Sequence, residues 1–154
     1  MENPSYSESI FIACPPDVLY RLVSDVTRMG GWSPICKACW WENDARGVGA
    51  WFIGRNELPE RTWETRSQVV VAEPGREFAF MVGGDLVRWG YSFNSAEGGT
   101  LLTESWQFLP AGRALFSERY GADAPAQIAD RIQTARTGIP TTLATIKKTA
   151  ESAD

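Results

Sequence analysis

Between residues 35 and 108 the chain reads as six segments of alternating or aromatic-rich character: "ICKACWWE", "VGAWFIGRNE", "TWETRSQVVVAE", "EFAFMV", "LVRWGYSFN" and "TLLTESWQF". They are parted by "NDARG", "LPE", "EPGR", "GGD" and "SAEGG", which is turn chemistry. Connections this short join antiparallel neighbours, so the pattern predicts a six-strand meander.

Ahead of the meander, "SIFIAC" (Ser9 to Cys14) reads as a further strand, closed by Pro15 and Pro16. Asp17 is placed to cap a helix through Val23, with Val18, Leu19, Leu22 and Val23 on its buried side. A short helix or turn follows over Asp25 to Met29 and ends at Gly30 and Gly31. Beyond the meander, Pro110 to Ala122 reads as a loop. Asp123 then caps a long helix entered through Pro125. Its apolar positions Ile128, Ile132, Ala135, Ile139, Leu143, Ile146 and Ala150 recur by threes and fours, as an amphipathic helix requires. Gly138 and Pro140 interrupt it, and the missing proline N–H predicts a kink. The bend either follows a curved sheet or widens a cavity beneath the helix.

No repeat, low-complexity tract or linker divides the 154 residues, so one domain over 1–154 is expected. A net charge of −4 and a pI near 4.9 speak against nucleic acid and anionic membrane as partners. The first residues lack a basic-then-apolar leader, and no apolar run is long enough for membrane insertion, so a cytoplasmic protein is expected. The chain has no histidine, which removes Ser-His-Asp and Cys-His sites and the imidazole zinc sites. Catalysis would rest on carboxylates, hydroxyls, amides, Lys or Arg, without a metal or other cofactor.

"CKAC" suggests a metal or redox motif at Cys36 and Cys39. Three cysteines without histidine do not supply a structural zinc, and a redox CxxC favours a helix start. On a regular strand residues three apart face opposite ways, so the pair is expected to be small apolar strand residues.

The same alternation sorts the other strands. Val87, Trp89, Tyr91 and Phe93 share the inner face with Leu102, Glu104, Trp106 and Phe108. Phe78, Phe80 and Val82, then Trp63, Thr65, Ser67, Val69 and Val71, then Phe52, Gly54 and Asn56, also fall inward. Arg55, Arg66 and Arg88 fall outward. Rings on several strands opposite a small-residue helical stripe are what line a concave apolar pocket, or simply pack on the helix.

Glu104 stands out because an inward carboxylate is costly unless it is paired or hydrogen-bonded. Desolvation would raise its pKa into the range of a general acid or base near neutral pH. The other reading is a carboxylate satisfied by a backbone amide, a tryptophan N–H or Tyr91. Candidate catalytic groups are thus Glu104, Tyr91 and Asn56. Candidate ligand contacts are Trp41, Phe52, Trp63, Thr65, Ser67, Phe78, Phe80, Trp89, Trp106, Ile132, Ala135 and Ile139, with Trp32 at the rim.

The order of strand, two short helices, meander and long helix is that of the α+β helix-grip fold. "LVSDVTRMGGWSP", "FIGRNE", "EPGREFAF", "RWGYSF" and "GGTLLTESW" resemble the START-like SRPBCC superfamily, in particular its bacterial polyketide cyclase/dehydrase and lipid-transport branch. The resemblance implies a curved seven-stranded antiparallel sheet gripping the C-terminal helix around a hydrophobic cavity. It does not fix function. Aromatase/cyclases of that superfamily tend to use a cavity arginine with hydroxyl groups, a pattern the outward Arg55, Arg66 and Arg88 do not match.

Two functions follow. One is an enzyme that cyclises or dehydrates a polyketide-like or aromatic substrate, with Glu104 moving protons and Tyr91 and Asn56 holding a carbonyl. The other is a non-catalytic carrier or sensor of a lipid or other apolar ligand, anchored on Glu104. A partner-binding module is suggested by outward Trp51 and Ile53, against which stand a covered edge strand or a homodimer contact.

Overall fold

The protein was analysed as a computed structural model that describes residues 3–152. Its strands are β1 (Ser5–Ile12), β2 (Cys36–Trp41), β3 (Trp51–Leu58), β4 (Arg61–Glu73), β5 (Glu77–Val82), β6 (Val87–Ala96) and β7 (Gly99–Phe108). They form one antiparallel sheet in the order β1-β7-β6-β5-β4-β3-β2. The meander is therefore as expected, and β1 closes the far edge by pairing with β7. The helices are α1 (Pro16–Val23), α2 (Pro110–Tyr120) and α3 (Ala124–Ser152), with a 3-10 turn over Val26–Gly31. This is the α+β helix-grip arrangement.

The α3 stripe faces the sheet. Ala135, Ile139, Leu143, Ile146 and Ala150 are buried, with Ile128 and Ile132 packed at the margin of the core. Fully burying a side chain such as Ile146 or Phe108 contributes about 1.5–3 kcal/mol, which is how a single helix is held across several strands. The helix runs unbroken through Gly138 and Pro140.

Several local expectations are corrected. Asp17 does not cap α1. Pro15 occupies that position without a side-chain bond, and Asp17 lies within the first turn, paired with Arg21 at 3.8 Å. Val18 is 42% exposed, and Leu19, Tyr20 and Val23 form the buried side of α1. Asp25, by contrast, caps the 3-10 turn through its bond from the Thr27 N–H. The span read as a loop after Pro110 is mostly helix α2, started by a proline in its first turn. Val71 turns outward. The pairing steps from Val69↔Phe80 to Val71↔Ala79, and this bulge returns Ala72, not Val71, to the side of Phe78. Trp51 and Ile53 are not on an edge strand, since β3 lies between β2 and β4. The Arg66 guanidinium covers the Trp51 ring at 3.8 Å.

Candidate functional site

A cavity of about 510 Å³ lies between the inner face of the sheet and helices α2 and α3. Its strand walls include Phe52 and Asn56 of β3, Trp63, Thr65 and Ser67 of β4, Phe80 of β5, Trp89 and Tyr91 of β6, and Glu104 and Trp106 of β7. Across from them α3 contributes Ala135, Gly138, Ile139 and Thr142. Met29, Ser33 and Pro34 close one side, and the exposed Arg61 and Arg119 stand on its rim.

Glu104 is 3% exposed between Leu102 and Trp106, because the strand alternation gives it no other direction. Its cross-strand partner is Tyr91, whose hydroxyl donates to Oε2 at 3.0 Å. Oε1 is buried with no hydrogen-bond partner among the described residues. Burial pushes the Glu104 pKa up to about 8, against a smaller pull downward from the Tyr91 hydrogen bond. The Tyr91 phenol is itself raised, first by burial and then by the neighbouring carboxylate.

Asn56 is also buried, and its Nδ2 reaches Thr65 Oγ1 at 3.3 Å and the Trp63 carbonyl at 3.5 Å. Such long bonds hold the amide loosely. Of the three arginines expected to face outward, Arg55 pairs with Glu57 at 3.6 Å and Arg88 with Glu77 at 3.1 Å, while Arg66 pairs with Glu42 and also borders the cavity.

Four of the expected ligand contacts stand away from the cavity. Phe78 packs edge-on against Tyr20, and Trp41 against Phe52, with Arg46 over its outer side. Ile132 packs at the core margin. Trp32 is 5% exposed and lines a separate shallow pocket with Gly30, Lys37 and Thr149, so it is not a rim residue of the large cavity.

Other cavity residues went unread in the sequence. Gly112, Leu115, Phe116, Arg119 and Tyr120 of α2 all line it, at the three- and four-residue spacing of one helical face. That spacing was the available signal. Cys36 and Cys39 also line it, contrary to the expectation of opposite faces. Lys37 is an extra residue in β2, where pairing steps from Cys36↔Asn56 to Ala38↔Arg55 and Cys39↔Gly54. Both thiols thereby oppose inward positions of β3, and their sulfurs lie 3.2 Å apart.

Residues 3–138 match the sequence profile of a family described as polyketide cyclase / dehydrase and lipid transport. The chain belongs to this polyketide cyclase family. Among solved structures it is similar to the Polyketide_cyc-like protein Cgl2372 of Corynebacterium glutamicum, with 48% identity over 97% of this chain and 93% of that one, at a TM-score of 0.73. The fold also matches the di-domain ARO/CYC proteins StfQ, from the steffimycin biosynthetic pathway, and BexL, from the BE-7585A pathway. These are 15% and 17% identical, with TM-scores of 0.76 and 0.74. The alignments cover 98% and 99% of this chain and 51% of each di-domain protein. No protein of curated function matches the sequence. Membership in the polyketide cyclase family accords with a cavity made for a hydrophobic small molecule, and no helix among the described residues is long and apolar enough to cross a membrane.

Proposed function

We propose that the protein binds a polyketide-like or aromatic substrate in this cavity and catalyses its cyclisation and dehydration by acid–base chemistry at Glu104. The observation that carries the reading is the Glu104 carboxyl itself, buried in the cavity wall with Oε2 held by Tyr91 and Oε1 unpartnered. An unpartnered buried oxygen is costly, and a ligand hydroxyl or carbonyl supplies the missing bond.

With its pKa raised to about 8, Glu104 is mostly protonated at neutral pH. In the dehydration of a β-hydroxyketone, the carboxyl gives its proton to the departing hydroxyl, which leaves as water. The carboxylate then takes the proton from the carbon next to the ketone, the double bond forms, and Glu104 returns to its starting state. Tyr91 steadies the carboxylate in between, and Asn56 holds the carbonyl oxygen through an amide that is only loosely engaged. Folding a flexible chain against Trp63, Trp89 and Trp106 supplies the proximity that an intramolecular closure needs.

The test is a β-hydroxyketone thioester incubated with the full chain, with water loss followed by mass and binding followed by tryptophan fluorescence. Glu104→Gln keeps the shape and removes the titration, so turnover should fall by ~10²–10⁴-fold while binding persists. Unaltered turnover in the variant removes the catalytic role. Binding without turnover in either protein points to a carrier or sensor, and a co-purified acyl lipid in native mass spectrometry supports that outcome.

A further inference from the structure

The acid–base chemistry at Glu104 makes no use of the two sulfurs on the β2 wall. The bulge at Lys37 turns both inward against Gly54 of β3, where a Cβ would lie in contact with each Sγ at 3.5 Å and tightly against Thr65 Oγ1 at 3.1 Å. Met29 Sδ lies 3.8 Å from Cys39 Sγ, which makes this part of the wall a patch of three sulfur atoms. The remaining cysteine, Cys14, is buried and lies outside the cavity lining.

We infer that Cys36 and Cys39 form a cavity-facing dithiol that a low-molecular-weight hydroperoxide closes to an intramolecular disulfide. The Cys36 thiolate attacks the peroxide oxygen, the O–O bond breaks, and the leaving oxygen departs as water or an alcohol after taking a proton. The resulting sulfenic acid is attacked by the Cys39 sulfur, so that the S–S bond forms, the S–O bond breaks, and the hydroxyl leaves with the Cys39 proton as water. Two electrons from the two sulfurs reduce one peroxide bond. The sulfurs need to close from 3.2 Å to about 2.05 Å.

The order of attack follows from the local hydrogen bonding. The contact between the two sulfurs holds the Cys36 thiol below its usual range, whereas that same contact and burial push Cys39 up. Access is through the cavity, so a molecule occupying the cavity shields the pair. Closure would also tie the two ends of the bulge together and reshape the wall beside Asn56 and Gly54.

The experiment is a hydrogen peroxide titration of the full chain, followed by thiol alkylation and mass analysis. The expected product has lost two hydrogens, retains a free Cys14, and is restored by dithiothreitol. Trypsin cuts after Lys37, so the peptide ending there and the one beginning at Ala38 should stay joined until reduction. Saturating the cavity with 1-anilinonaphthalene-8-sulfonate should slow the reaction several-fold. In Cys39→Ser, dimedone should trap a sulfenic acid at Cys36. Oxidation of Cys14 at an equal rate, or sulfinic acid at Cys36 and Cys39 with no linkage between the peptides, overturns the inference. The peptide linkage is read on the unmodified sequence and does not depend on any variant folding.

Discussion

Tyr91 and Glu104 stand directly opposite each other on β6 and β7, with the phenol donating to Oε2 at 3.0 Å and Oε1 buried with no partner among the described residues. A neutral carboxyl tolerates this setting and an ionised one does not, so the pair links the protonation of the site to the stability of the fold.

The Glu104 pKa is about 8 in the folded protein and near its ordinary value of 4.5 once unfolded. Between those values the folded state holds a proton that the unfolded state has lost, so stability falls as pH rises through this window. The slope is at most ~1.4 kcal/mol per pH unit. Urea unfolding of the normal sequence and of Glu104→Gln at pH 5, 7 and 9 should show this slope in the first and its loss in the second. A parallel pH dependence in both proteins assigns the proton to another group.

Removing the hydroxyl of Tyr91 should shift the window. Tyr91→Phe deletes the bond that pulls the Glu104 pKa down and leaves a second oxygen without a partner. The carboxyl should then titrate at higher pH than in the normal sequence, and the fold should lose about 1–3 kcal/mol. Carbon NMR of the labelled Glu104 carboxyl reads the first effect and chemical denaturation the second. A downward shift would show that Tyr91 is not the group that steadies the carboxylate.

Gly30 and Gly31 are neighbours in sequence with opposite demands. A Cβ on Gly30 would lie 2.1 Å from the Lys37 carbonyl oxygen, a backbone atom in the β2 bulge, whereas one on Gly31 would meet nothing within 4 Å. Gly30→Ala should cost ~2–4 kcal/mol and Gly31→Ala less than about 0.5 kcal/mol. Thermal melts of the two variants decide it, and equal losses would mean that the bulge does not press on the turn.

Pro140, exposed on α3, leaves the Arg136 carbonyl without its helical donor. Pro140→Ala restores that bond and relaxes the unfolded chain, for a net gain of about 1–2 kcal/mol. Calorimetry reads the gain. Affinity for 1-anilinonaphthalene-8-sulfonate then separates the two roles of the proline: a weaker complex ties it to the width of the cavity, and an unchanged one ties it to the course of the helix over the sheet.

The strands and α3 were legible because their periods, two and three to four, run over many residues and through short turns. Glu104 was legible for the same reason, as a charged residue in phase with Leu102 and Trp106. What escaped were the places where one extra residue resets the count. The bulge after Val69 moved Val71 outward, and the one at Lys37 brought Cys36 and Cys39 together. Neither carries a local mark such as a left-handed glycine. Helix α2 escaped because its apolar side is short and mixed with Arg and Ser, and because Gly112 reads as a loop residue. In the structure Gly112 is a close approach, where a Cβ would lie 2.5 Å from the Leu86 carbonyl oxygen.

The β2 bulge also bears on how copies of the protein meet one another. An open sheet has two margins whose free backbone groups invite a strand from a neighbouring molecule. At β1 that invitation is partly withdrawn, since Lys147 Nζ occupies the Phe11 carbonyl and Glu151 takes the Ala13 N–H. At β2 the irregular ladder breaks the flat hydrogen-bonding row and sets the exposed Lys37 on the margin, its ammonium held by the Pro34 carbonyl. The residue that brings two thiols together inside therefore also guards the outside of the sheet against fibre-like growth.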